Sequence, residues 1–70
     1  MSNCILATGT ITLAMKAKKI LLANAIPAET VKLSSLRNGC LYGVQFPCAQ
    51  VKNAQRLLQT NSIPFEETLG

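Results

Sequence analysis

The chain has 70 residues, enough for one domain spanning 1–70, and a domain of that size buries only about 60% of its unfolded surface, so assembly with another chain is a reasonable source of extra stability. Hydrophobic residues make up 49% and charged residues 14%, a balance that excludes a disordered chain and calls for a packed core. The net charge of +4 favours acidic partners, but with Tyr42, Phe46 and Phe65 as the aromatics and Arg37 and Arg56 as the arginines, the stacking platform of an RNA-binding sheet is missing, which argues against nucleic acid.

In chain order, the apolar run Ile5-Leu6-Ala7 predicts a first strand, followed by a Thr8-Gly9-Thr10 turn with Thr10 as helix N-cap. Leu13, Ala14, Ala17, Ile20 and Leu21 then recur at helical spacing, while Lys16, Lys18 and Lys19 lie off that stripe, predicting an amphipathic helix over 11–24 with the lysines on a solvated face. Asn24 is expected in a left-handed C-terminal position, and Pro27 forbids continuation. Ala28 to Leu33 and Cys40 to Phe46 read as two strands joined by a polar turn over Ser34 to Gly39. A second helix begins near Pro47 at its first position, buries Val51, Ala54 and Leu58, and stops at Asn61 before Pro64. A short final strand follows.

An offset of 37 residues superposes the two halves. It aligns Leu21-Leu22-Ala23-Asn24-Ala25-Ile26-Pro27 with Leu58-Gln59-Thr60-Asn61-Ser62-Ile63-Pro64, and sets Ala17 on Ala54, so residues 4–33 and 41–69 read as a pseudo-repeat of one β-α-β unit. Two such units joined by right-handed crossovers predict an α+β, ferredoxin-like βαββαβ sandwich, an antiparallel sheet with both helices on one face. On the other face Leu6, Leu41 and Gly43 are expected to project.

Three features bound the setting. Lys16, Lys18 and Lys19 interrupt the longest apolar stretch, so no membrane span is expected, and Met1-Ser2-Asn3 carries no positive charge ahead of the apolar run, unlike a secretory signal. The expected location is the cytoplasm. An odd set of cysteines, Cys4, Cys40 and Cys48, argues there against a disulfide framework; a Cys4–Cys48 bridge is sterically conceivable but unusual in that compartment. With no histidine and no Cys-x-x-Cys, no metal site and no cofactor is expected.

Among the thiols, Cys40 carries the chemical case. It follows the Ser34 to Gly39 loop with Arg37, and the expected topology sets it near the first helix's N-terminus, where unsatisfied N–H groups and the helix dipole stabilise a thiolate. Thr8, Gly9, Thr10, Arg37 and Gly39 are its candidate supports. Cys48, in the first turn of the second helix, is the secondary thiol, and Cys4 is read as packing in the first strand. The bland alternative is that Cys40 also packs beneath a helix.

Leu6-Ala7-Thr8-Gly9-Thr10, the helix Leu13-Ala14-Met15-Lys16-Ala17-Lys18-Lys19-Ile20-Leu21-Leu22, Asn24-Ala25-Ile26-Pro27, the basic loop Ser34 to Arg37 and Gly39-Cys40-Leu41-Tyr42-Gly43-Val44 together resemble the small bacterial selenium/sulfur carrier-like proteins over nearly the whole chain. The resemblance implies a carrier, rather than a stand-alone enzyme, that holds sulfur or selenium as a persulfide or selenopersulfide on Cys40, taking it from a donor protein and passing it to an acceptor. Many family members have glycine directly after this cysteine; here Gly39 precedes it and Leu41 follows. A non-catalytic interaction module, as a homodimer through the open sheet face, or a regulatory domain binding a small ligand near the first turn, are the alternatives.

Overall fold

The computed structural model describes residues 2–36 and 39–68. Its elements run β1 (Asn3–Gly9), α1 (Ile11–Ala23), β2 (Glu29–Leu36), β3 (Gly39–Pro47), a 3-10 turn (Cys48–Gln50), α2 (Val51–Thr60) and a three-residue β4 (Glu66–Thr68). The strands form one antiparallel sheet in the order β2-β3-β1-β4, with long strands in the first three places. This is the expected α+β class, with two helices against an antiparallel sheet.

The core follows from strand alternation. Leu6 pairs with Val44 and Cys4 with Phe46, so these four share one face of the sheet. On that face Leu6, Val44 and Phe46 are almost wholly buried and cluster with Ala14, Ala17 and Leu21 of α1 and Ala54 and Leu58 of α2. The three alanines let the helix backbones approach closely while the bulk comes from leucine and phenylalanine. Leu6 therefore belongs to the core, not to the open face where the sequence suggested it would project. The open face instead carries Ile5, Ala7, Val31, Leu33, Leu41 and Gly43. A Cβ at Gly43 would collide with the Leu6 carbonyl oxygen and lie 3.1 Å from Leu33 Cδ1, so this position closes β1 onto β3 only as glycine.

Both helices end in the same way, one residue later than expected for the left-handed position. Asn24 (φ −108°) and Asn61 (φ −97°) are ordinary C-caps, and the residues after them, Ala25 (φ 62°) and Ser62 (φ 58°), take the left-handed conformation. Ile26 N–H donates to Leu21 O at 2.9 Å and Ala25 N–H to Leu22 O at 3.1 Å; Ile63 and Ser62 donate to Leu58 and Gln59 at 2.9 and 3.1 Å. These are Schellman closures, in which the turn residue just past the cap must reverse hand. Each asparagine amide still contributes, donating to Ile20 O or Leu57 O at 2.8 Å.

Two boundaries also shift. β2 continues through Ser34, Ser35 and Leu36, which pair with Leu41, Cys40 and Gly39, so most of the expected polar turn is strand. Pro47 is extended (φ −61°, ψ 134°) and precedes the 3-10 turn as its N-cap instead of occupying the first helical position.

Placing a side chain at φ near +60° costs about 1 kcal/mol that glycine does not incur. Ser62→Gly and Ala25→Gly are each expected to raise stability by about that amount, seen as a higher urea midpoint. Gly43→Ala is expected to lower it by about 2 kcal/mol through the forced separation of β1 and β3.

Candidate functional site

Thr8 and Gly9 are the last residues of β1, not a turn. Ala7 pairs with Gly43 and Gly9 with Tyr42, so Thr8 is the extra residue of a β-bulge, and Gly9 takes φ +100° to leave it. Thr8 is buried, and its hydroxyl donates to Tyr42 O at 3.4 Å. Thr10 caps α1 as expected, its Oγ1 accepting from Leu13 N–H at 3.2 Å. Both hydroxyls are thus engaged in holding the bulge and the helix start. Glu66 lines the same shallow depression as Thr8, Gly9, Leu41, Pro64 and Phe65, and its carboxylate opposes an anion there.

Cys40 is the second residue of β3, and its backbone pairs with Ser35 of β2. The last β1 partner on β3 is Tyr42, opposite Gly9, so Cys40 lies two residues further on, about 7 Å of strand beyond the end of β1. The structure brings Cys40 to the same end of the sheet as Thr8, Gly9 and Thr10. Arg37 lies outside the described residues, as does the side chain of Cys40; Gly39 opens β3 opposite Leu36.

At the opposite end the sequence reading needs correction. Cys4 and Cys48 form a disulfide, with 2.02 Å between sulfurs and 4.8 Å between Cα atoms. Cys4 is more than packing, and Cys48 is not a free secondary thiol in this state. The register explains the pair: Asn3 opposite Pro47 sets Cys4 one residue in from the sheet edge and Cys48 one residue past it, while Cys48 N–H donates to Ser2 O at 3.2 Å. The signal was present, since the pairing of the first and third strands already brought Cys4 to Cys48, but the expected compartment weighed against a bond.

From Cys40 to Pro47 the strand runs about 24 Å, so Cys40 cannot exchange with the disulfide inside one chain. The molecule has two separate sulfur environments, one at each end of β3. No group of three or more potential metal ligands occurs among the described residues, and no helix there is long and apolar enough to cross a membrane.

The chain is thus a small α+β molecule with Cys40 near the start of a central strand. Residues 3–69 match the model of the family described as "Putative Se/S carrier protein-like", and the chain belongs to that family. No curated protein and no solved structure matches it.

The bridge joins residues 44 apart in sequence, and closing a loop of that length in the unfolded chain is worth up to about 4 kcal/mol. For a chain of this size that is a large share of total stability. Oxidised protein is therefore expected to unfold at clearly higher urea concentration than reduced protein, with Cys48→Ser coinciding with the reduced form and Cys40→Ser preserving the gap.

Proposed function

We propose that the chain is a sulfur or selenium carrier and that Cys40 is its acceptor nucleophile. The observation that carries this reading is family membership over residues 3–69 together with the position of Cys40 on β3, beyond the end of β1 and at the opposite end of the strand from Cys4 and Cys48. The α+β architecture suits it: in the ferredoxin-like arrangement that we assign, one central strand presents Cys40 at the end where β1 gives way to α1.

The transfer requires no external redox agent. The Cys40 thiolate attacks the terminal sulfur of a donor protein's persulfide, an S–S bond forms to Cys40, and the donor's own S–S bond breaks to release its thiolate. Delivery is the same exchange in reverse, with an acceptor thiolate attacking the sulfur carried on Cys40. A selenium cargo follows the same course as a selenopersulfide. Arg37 and the Gly39 backbone are assigned to the support of the anionic sulfur; Thr8 and Thr10 act by fixing the bulge and the start of α1. The setting we assign is the cytoplasm, where the Cys4–Cys48 pair would be held reduced and all three thiols would meet the donor.

A second reading rests on the open sheet face, where Ile5, Val31, Leu33 and Leu41 lie half-buried with no helix over them. Such a face fits a homodimer, and a monomer in sedimentation at high concentration would remove it.

The carrier reading is tested by incubating reduced protein and each Cys→Ser variant with a sulfane-sulfur donor and measuring intact mass before and after reductant. A reductant-labile gain of one sulfur that is lost in Cys40→Ser and kept in Cys4→Ser and Cys48→Ser is expected. Equal loading of all three variants, or none, would sink it.

A further inference from the structure

Among the described residues, the large apolar side chains left exposed all lie on one helix. Ile11 is 41% exposed, Met15 57% and Leu22 50%, each in α1. At 3.6 residues per turn Ile11, Met15, Lys18 and Leu22 fall within about 60° of one another, forming one stripe. The stripe is distinct from the buried line of Ala14, Ala17 and Leu21, so the hydrophobicity of α1 is spent on two faces where one would suffice for the fold. Together with Thr12, Lys16, Lys19 and Thr30 it lines a shallow, largely apolar groove between α1 and the sheet's β2 edge.

The charge around the groove is one-sided. α1 contains Lys16, Lys18 and Lys19 and no acidic residue. Glu29, the acid nearest the groove, sits 3.6 Å from Lys18. Among the described residues this is the ion pair at the groove, and Lys16 and Lys19 have no acidic partner there. Apolar side chains flanked by unpaired ammonium groups match a ligand that is apolar on one side and acidic on its margins.

We infer that the α1 groove docks an acidic amphipathic segment of a partner protein, with Ile11, Met15 and Leu22 taking its apolar side chains and Lys16 and Lys19 its carboxylates. Methionine at the centre suits a surface that must adapt to more than one partner. An anionic membrane is the weaker fit: helices that lie in a bilayer interface carry a broad apolar face with aromatic anchors, and here three aliphatic side chains are interrupted by Lys18 on a helix already fixed to a core. The groove has its own bearing on transfer. Ile11 follows Gly9 by two residues, so the stripe starts at the Cys40 end of the sheet, and a docked partner would lie along the helix that leads to that end. The docking surface stands on exposure and charge alone and would hold whether or not Cys40 carries sulfur.

The test uses full-length ¹⁵N-labelled protein and three synthetic 15-residue peptides: a Leu/Glu amphipathic helix, a scramble of the same composition, and a Leu/Lys counterpart. Vesicles of phosphatidylcholine with phosphatidylserine form a fourth arm. The Leu/Glu helix is expected to shift amide resonances of 11–22 and Thr30, to bind at least about tenfold more tightly than either other peptide, and to weaken as salt rises from about 50 to 500 mM. Met15→Glu and the double variant Lys16→Glu/Lys19→Glu, both at exposed positions, are expected to lose at least about tenfold in affinity while keeping the wild-type thermal midpoint; Cys40→Ser is expected to bind as wild type does. Binding unaffected by these substitutions, shifts confined to the open sheet face, equal binding of the scramble, vesicle binding in place of peptide binding, or no binding at all would each overturn the inference.

Discussion

The pairing of β1 with β3 sets the position of the core and of the cysteines. With Leu6 opposite Val44 and Cys4 opposite Phe46, Leu6, Val44 and Phe46 turn to the helices together, and a slip of one residue would send one strand's buried side chains to the other face. The same register puts Cys4 within bonding distance of Cys48 at one end and ends β1 at Gly9 at the other. Cys40 then lies past that end, with β2 as its partner strand. One ladder of hydrogen bonds therefore separates a sulfur pair that ties the chain together from the remaining cysteine.

The helices were largely legible because their buried stripes are unambiguous: Ala14, Ala17 and Leu21 in one, Ala54 and Leu58 in the other, bounded by Thr10, Asn24 and Asn61. What the sequence obscured has local causes. Cys4, Ile5, Leu6 and Ala7 are all apolar, so alternation offers no polar residue to mark which face is inside, and Leu6 was easily assigned to the wrong one. Ser34 and Ser35 look like turn residues, yet a two-stranded arm can take its hydrogen bonds from a single neighbour and needs little apolar surface. Asn24 and Asn61 have the right chemistry for a left-handed turn, but the closing bonds to Leu21 and Leu58 require the reversal one residue later.

The cysteines illustrate a different limit. Sequence and topology could bring Cys4 to Cys48, but whether two adjacent thiols join depends on an oxidising partner outside the chain, which no residue pattern encodes. The outward stripe of α1 was hidden for a related reason. Lysines among leucines read as a solvated helix face, and only the packed structure shows that Ile11, Met15 and Leu22 are left over once the core is complete. If Cys40 exchanges a chalcogen as proposed, the inferred docking face of α1 would supply the specificity that such exchange needs, because a persulfide reacts with any accessible thiol unless proteins meet in a defined pose.

The bridge also changes the connectivity of the chain. Oxidised, residues 4–48 become a closed ring that contains α1, β2 and nearly all of β1 and β3, while α2 and β4 hang from it as a linear tail. A backbone cut within the ring leaves both fragments covalently joined and their native partners close at hand. A cut after Cys48 frees the tail, and with it the part of the core that Ala54, Leu58 and Ile63 supply. The same nick would thus be harmless on one side of residue 48 and ruinous on the other, and this distinction vanishes when the two sulfurs part.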